Sequence, residues 1–291
     1  MKVLVIGGNG QLGKTLSDTV SPSIAFKALD LPDIDITSAE SVETVMSREK
    51  PDVVINAAAY TAVDRAENEP EMAFAINAKG PENLALSAKK DHFRLIHIST
   101  DYVFDGTACT PYRPDVPCRP LGVYGNTKYQ GEVFVQSILD HFIILRTAWL
   151  YSRYGANFVL TMLRLMKEKE ALNVVVDQVG SPTWTGTLSE TIWNMVEKPE
   201  ISGIYHCSDA GVASWYDFAV AIQEEALRLG ILEKKIPVSP ILSKDYPTPA
   251  KRPSYSVLDC TQTWRDLDMS PLHWRSALQK MMHPEKQAGG F

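Results

Sequence analysis

The first half of the sequence predicts a doubly wound α/β fold, a parallel sheet with helices on both faces. Three observations lead there. Short apolar runs rich in Val and Ile alternate with helix-length patterns, turn residues bound each run, and the first run passes through glycines directly into a helix. With 291 residues, 45% hydrophobic and 22% charged, the chain can bury a large core as one big domain or two modest ones. A net charge of −6 disfavours a nucleic-acid partner, which asks for a basic face.

The elements follow in order. Val3 to Ile6 reads as a buried strand and Gly10 to Val20 as a helix. Phe26 to Asp30 is a strand, and Ser38 to Arg48 a helix with Ser38 as N-cap. Asp52 to Asn56 is a third strand after Pro51. Pro70 to Lys90 reads as one long helix with an apolar stripe through Met72, Ala75, Ile76 and Leu84. Arg94 to Ile98, then Gly125 to Leu139, then Phe142 to Arg146 give strand, helix, strand. This sets a dinucleotide-binding unit over 1–150. The remainder, 151–291, is expected to be mainly a ligand-binding region of smaller mixed structure, with some elements returning to the first sheet. It holds helices at Asn157 to Glu168, Leu188 to Val196 and Trp215 to Leu229, and a strand at Leu172 to Val176. Pro237 to Pro253, with five prolines in seventeen residues, reads as an ordered loop, because proline cannot donate to a ladder. The tail Gln287 to Phe291 is expected to fray.

Cys109, Cys118, Cys207 and Cys260 form no CxxC pair and have no His at ligand spacing, so they read as reduced thiols and no metal site is assigned. MKVLVIGG reads as a strand rather than a signal sequence. No run approaches the ~20 apolar residues of a membrane span. A soluble, cytoplasmic protein with no membrane partner is expected.

Gly7, Gly10 and Gly13 form G-x-x-G-x-x-G between a strand and a helix. Glycines there permit a tight turn and close approach of backbone to a pyrophosphate, and the helix N-terminus presents free N–H groups to the phosphates. Asp30, closing the second strand, stands where a carboxylate meets an adenosine ribose; a plain turn aspartate is the alternative. A carboxylate there favours NADH over NADPH, and Lys14 and Lys27 lie near enough in sequence to soften that preference. Ala57, Ala58 and Ala59 end the third strand in small side chains, as a flat cofactor or simply tight packing requires.

Tyr124 and Lys128 are four apart on the predicted helix and share a face. They follow a strand that runs into Ser99 and Thr100. Hydride delivery to a carbonyl creates an alkoxide that needs a proton, and a phenol of ordinary pKa about 10 can give it. A neighbouring ammonium and an oxidised nicotinamide are expected to lower that pKa, while Thr100 donates to the same oxygen. The bland alternative is an amphipathic helix with an exposed Tyr and Lys.

These residues resemble the extended short-chain dehydrogenase/reductase family, a Rossmann-type family, over nearly the whole chain. More narrowly, the chain is similar to the dTDP-4-dehydrorhamnose reductases within it. The matching stretches are Asn56-Ala57-Ala58-Ala59-Tyr60-Thr61-Ala62-Val63-Asp64, Ser99-Thr100-Asp101-Tyr102-Val103-Phe104-Asp105-Gly106 and Val123-Tyr124-Gly125-Asn126-Thr127-Lys128. Arg146 to Tyr151, Asp177 to Thr183 and Tyr246 to Pro253 continue the likeness. The resemblance implies Thr100, Tyr124 and Lys128 as catalytic residues. It implies cofactor contacts from Gly10, Gln11, Leu12, Asp30, Asp35, Ile36, Ala57, Ala58 and Ala59 and substrate contacts from Asp101 and Trp149. Arg252 is the candidate for the diphosphate, with a solvated surface arginine as the alternative. The implied reaction is NADPH- or NADH-dependent reduction of the C4 ketone of a dTDP-sugar, for cell-surface polysaccharide. In some relatives an acidic residue two beyond the last glycine helps hold a metal at a dimer contact; here that place is Thr15. Mg2+ is therefore unsupported by the sequence, and monomer and homodimer both stay open. Two other readings remain. One is a sugar-nucleotide dehydratase or epimerase, although the Glu base of Thr-Asp-Glu is replaced by Tyr102. The other is a noncatalytic subunit like that of methionine adenosyltransferase.

Overall fold

The computed structural model describes residues 1–283; the tail from Gln287 lies outside them. The elements run β1 (Lys2–Ile6), α1 (Gln11–Thr19), β2 (Ala25–Leu29), α2 (Ala39–Glu49), β3 (Val53–Asn56), α3 (Val63–Ala66), α4 (Pro70–Phe74), α5 (Gly80–Asp91), β4 (Arg94–Thr100), α6 (Val123–Ile138), β5 (Ile143–Thr147) and β6 (Leu150–Tyr151). Then come α7 (Phe158–Glu168), β7 (Leu172–Val175), β8 (Val179–Gly180), β9 (Thr183–Trp184), α8 (Thr185–Glu197), β10 (Gly203–Cys207), β11 (Ala213–Ser214), α9 (Trp215–Arg228), β12 (Val238–Ile241), α10 (Thr261–Leu267) and α11 (Trp274–Met282).

Six strands form one parallel sheet in the order β10-β5-β4-β3-β1-β2. Strand side chains alternate between faces, so each strand feeds two cores. Val3, Val5, Val53, Ile55, Ile96 and Leu145 pack against Leu12 and Leu16 of α1 and Ile192 of α8. Leu4, Ile6, Val54, Leu95 and Ile144 meet Val42 and Met46 of α2, Leu84 of α5 and Val135 of α6. The doubly wound α/β fold expected from the sequence is the fold observed. Chain order reverses between β1 and β3, and such switch points open a crevice beyond the carboxyl ends of the strands.

The region after residue 150 divides. β10 joins the first sheet beside β5, and α8 packs against α1. A separate core gathers Tyr151, Val159 and Met162, Phe218 and Ile222 of α9, and Trp274 and Leu278 of α11. β10, α10 and α11 were not foreseen: five residues holding one glycine, or seven and nine residues of helix, give a short periodicity.

Two local readings are corrected. The Pro-rich stretch contains a strand, since β12 pairs parallel with β7 and places Pro240 opposite Val174. A two-stranded ribbon leaves one edge of β12 unpaired, which is where a residue without N–H can sit. The long helix over 70–90 is broken by a π-type turn, Ala75–Lys79. Pro81 has no N–H to give the carbonyl of Asn77, so the ladder cannot run on regularly. Ser38 does cap α2, accepting from Ser41 N at 3.2 Å.

Candidate active site

All six strands are parallel, so the residues that follow each carboxyl end meet along one edge of the sheet. Gly7 follows β1, Asp30 β2, Ala57 β3, Asp101 β4, and Ala148 and Trp149 β5. The site is assembled from sequence-distant turns on rigid strands.

Gly7 turns with φ +88°, and a Cβ on it would lie 2.7 Å from Ala58 N. The turn after β1 therefore lies directly on the end of β3. A Cβ on Gly13 would lie 2.4 Å from Gly7 O, so the helix packs as closely as backbone allows. Gly10 caps α1 without a side-chain hydrogen bond, and the first-turn N–H groups of this nine-residue helix are left to an anion. Asp30 accepts from Asn9 N at 3.0 Å and Leu31 N at 2.9 Å. Its carboxylate is thereby fixed at the mouth of the glycine turn with lone pairs to spare for ribose hydroxyls. A nicotinamide dinucleotide fits this cradle: uncapped helix, fixed carboxylate, half-buried Ala57–Ala59 edge.

Other sequence-predicted cofactor residues are placed differently. Leu12 is buried in the core beneath α1. The Ile36 side chain is buried against α5, where a Cβ on Gly80 would meet its Cδ1 at 2.5 Å. Ile36 offers a ligand its backbone only. Asp35 accepts from Thr37 N at 2.9 Å and Thr37 Oγ1 at 2.7 Å. Gln11 Oε1 accepts from Ser152 Oγ at 3.0 Å and Asn157 Nδ2 at 3.1 Å, tying the cradle to the loop before α7. Both nearby lysines have partners of their own. Lys27 is paired with Glu49 at 2.6 Å, and Lys14 lies over the Tyr154 ring at 5.7 Å.

Thr100 ends β4, which runs two residues beyond the predicted Ile98. Thr100 Oγ1 donates to Asp101 Oδ1 at 3.0 Å and accepts from Tyr102 N at 3.2 Å. Burial pushes the Asp101 carboxyl up to about 6, against the lowering effect of the Ser256 and Thr100 hydroxyls, and its Oδ2 has no partner among the described residues. Tyr124 is on the first turn of α6. A Cβ on Gly125 would lie 2.2 Å from Tyr102 O, so only glycine lets α6 dock on the turn after β4. The Tyr124 ring meets Tyr102 edge-on, with centroids 5.4 Å apart.

Burial raises the Tyr124 phenol to about 12; the Thr100 hydroxyl opposes this and Asp101 adds to it. The sequence expectation was a phenol lowered by a neighbouring ammonium together with an oxidised nicotinamide. In the chain alone desolvation sets the direction, and the Lys128 ammonium is turned to the strand: Nζ donates to Ile98 O at 2.7 Å. Lys128 is 2% exposed, and burial lowers it to about 8 while Glu132 opposes the shift. The exposed-helix alternative for Lys128 is thereby set aside.

On the substrate side, Trp149 follows β5 with φ +46° and stacks on Trp215, with centroids 3.5 Å apart and planes within 4°. Arg252 is half-buried and already paired. It forms a bidentate pair with Asp64, Nη2 to Oδ2 at 2.7 Å and Nη1 to Oδ1 at 3.1 Å. Thr15 is 8% exposed, with its hydroxyl on Thr185 of α8 at 2.9 Å. Among the described residues no group of three His, Cys, Asp or Glu could hold a metal ion, and no helix is long and apolar enough to cross a membrane.

Sequence reasoning missed several supports. Asn77 holds Tyr60 through both its N and O, at 2.8 and 3.0 Å, and reaches Thr127 of α6. Glu132 and Arg146 form a buried pair under Lys128. Four-residue spacing from Lys128 was a signal for Glu132. Nothing local marks Asn77 or Trp215.

The comparisons with known proteins agree with this geometry. The family described as RmlD substrate binding domain matches residues 1–287. The dTDP-4-dehydrorhamnose reductase of Aggregatibacter actinomycetemcomitans is 40% identical over 287 residues, covering 96% of this chain and 98% of that protein. A solved dTDP-4-dehydrorhamnose reductase from Clostridium acetobutylicum superposes with TM-score 0.92 at 39% identity, over 98% of this chain and 100% of the other. One from Bacillus anthracis, in complex with NADP, gives 0.91 at 36% identity, over 97% and 98%. A match along nearly the whole length, on a sheet whose edge carries the dinucleotide cradle beside Thr100, Tyr124 and Lys128, means that the chain belongs to the RmlD family, as an NAD(P)H-dependent oxidoreductase of the dTDP-4-dehydrorhamnose reductase type.

Proposed function

We propose that this protein reduces the C4 ketone of dTDP-4-dehydro-L-rhamnose to dTDP-L-rhamnose, a precursor of cell-surface polysaccharide, with Tyr124 as proton donor. The observation that carries this is one arrangement: a desolvated phenol, with Thr100 beside it and Lys128 one helical turn on, at the sheet edge that holds the glycine cradle.

The α1 N-terminus and the Gly7–Gly13 turn would hold the pyrophosphate, Asp30 the adenosine ribose and Lys128 the nicotinamide ribose. A reduced nicotinamide supplies hydride when bound. Tyr124 gives its phenolic proton to the carbonyl oxygen as negative charge gathers there, so that the ketone gains one hydride and one proton and becomes an alcohol. At neutral pH the half-buried phenol is protonated, the form an acid needs. The Lys128 ammonium, which now donates to Ile98 O, would turn to compensate the resulting phenolate until solvent returns the proton. Thr100 has one O–H and now gives it to Asp101, so it turns to the substrate oxygen when that acceptor arrives. The open Oδ2 of Asp101 and the Trp149 ring supply the walls of a sugar subsite. Arg252 would exchange Asp64 for the diphosphate.

Tyr102 argues against a dehydratase. Burial holds its hydroxyl well above the ordinary phenol range, which leaves no base where a C5 proton would be removed. The test is to mix the protein with dTDP-4-dehydrorhamnose and NADPH or NADH. Loss of reduced-nicotinamide absorbance in step with alcohol product is expected. Conversion with no net loss of cofactor, or no conversion at all, overturns the reading.

A further inference from the structure

Tyr124, Lys128 and Glu132 are at successive four-residue steps of α6 and so share one face. Glu132 is 0% exposed and joins three elements. Its Oε1 accepts from Ser99 Oγ of β4 at 2.5 Å and from Arg146 Nε of β5 at 2.9 Å, and its Oε2 accepts from Arg146 Nη2 at 2.7 Å. Ser99 is the residue before Thr100, and the strand bond beneath it, Ile98 O, is the acceptor that Lys128 uses. The carboxylate thus ties the helix that carries the phenol and ammonium to the strand end that carries the hydroxyl.

Charge gives Glu132 a second task. Lys128 and Arg146 are two buried cations, each 2% exposed, and a buried charge without a partner is expensive. Few other groups compensate them. From β4, His97 faces Lys128; it is held neutral by burial and by that ammonium, with Nδ1 on Asn56. From β10, His206 lies beside Arg146 and is depressed to about 3. Cys118, from the loop before α6, is pushed up to about 11 and is a neutral thiol. Asp101 belongs to the turn after β4, Tyr124 to α6 itself, and the π-type turn offers only uncharged Asn77.

We propose that Glu132 is a positioning residue of the reducing centre, a fixed buried anion that keeps Lys128 charged and holds α6 in register with Thr100. This rests on the reading of Lys128 as part of that centre.

The experiment is the pH profile of kcat and of KM for reduced cofactor in folded enzyme variants. In Glu132→Gln the shape is kept and the charge removed. The alkaline fall in turnover should move to lower pH by about one unit or more, a displacement that a loss of stability alone does not produce. Glu132→Asp keeps the charge and withdraws it by one methylene, so the alkaline fall should stay in place while kcat drops. Should the glutamine variant not fold, the aspartate variant decides. An alkaline limb of Glu132→Gln on the native curve, or an undiminished kcat in Glu132→Asp, overturns the proposal. Lys128→Met separates the two readings. If it retains turnover and cofactor affinity, the reducing-centre reading falls. If it loses both while Glu132→Gln follows the native curve, only the role of Glu132 falls.

Discussion

The Glu67 carboxylate accepts the Val123 N–H at 2.9 Å, so the helix carrying Tyr124 is capped by a side chain fifty-six residues upstream. Gly122, the N-cap, has no side chain of its own, and a Cβ there would lie 2.6 Å from that carboxylate oxygen. Glu67→Ala should destabilise by about 1 kcal/mol, the usual worth of a cap, and should lower kcat because the freed turn holds Tyr124. Glu67→Gln retains an oxygen acceptor and should keep most of both. Urea unfolding and turnover on the same samples test this; equal stability in the alanine variant removes the cap from the account.

Tyr124→Phe keeps the ring against Tyr102 and removes only the proton donor. Turnover should fall by about 10²–10⁴-fold, the usual contribution of general acid catalysis, with cofactor affinity retained. Near-native kcat would show that the proton comes from elsewhere.

Asp30 is pinned by two backbone N–H groups, and Lys27 is held by Glu49. Asp30→Ala should shift the ratio of kcat/KM values toward NADPH and away from NADH. An unchanged ratio means that the carboxylate does not face the ribose.

Asp209 follows β10, buried, with Oδ2 accepting from Trp184 N at 2.9 Å and Oδ1 without a partner among the described residues. Burial raises it to about 7, against the pull of Thr187 and the Trp184 N–H. A carboxyl whose folded value lies above its unfolded 3.8 favours the fold fully only below pH about 4. It loses that contribution as pH rises through about 7, because the unfolded chain ionises first. Asp209→Asn should therefore gain stability relative to the native chain on going from pH 5 to pH 8, read as the difference in urea midpoint. A constant difference across that range contradicts the assignment.

The fold was legible because hydrophobic periodicity is a local signal. Val3 to Ile6 and Asp52 to Asn56 are apolar runs that only a two-faced parallel sheet buries, and the glycine spacing fixed which strand turns into the cradle. The candidate site was legible where residue type and chain position suffice to suggest it, as for Tyr124, Lys128 and Asp30. It was not legible where a residue acts through a partner far along the chain. Glu67 and Gly122 are joined only when α3 lies under α6, and Arg252 meets Asp64 at a separation of 188 residues. The raising of the Tyr124 phenol in the chain alone was not legible either, since it depends on desolvation.

The sequence by itself determined five of the six strands of the sheet, the glycine turn and the candidate phenol, ammonium and hydroxyl, because spacing along one strand or helix sets which face a side chain takes. Tertiary structure alone decided that β10 and α8 are among the elements that return to the first sheet, that a Glu–Arg pair is buried near Lys128, and that Trp149 stacks on Trp215. Those outcomes depend on burial and on contacts between distant segments, where desolvation and packing set the energy and no local pattern records it.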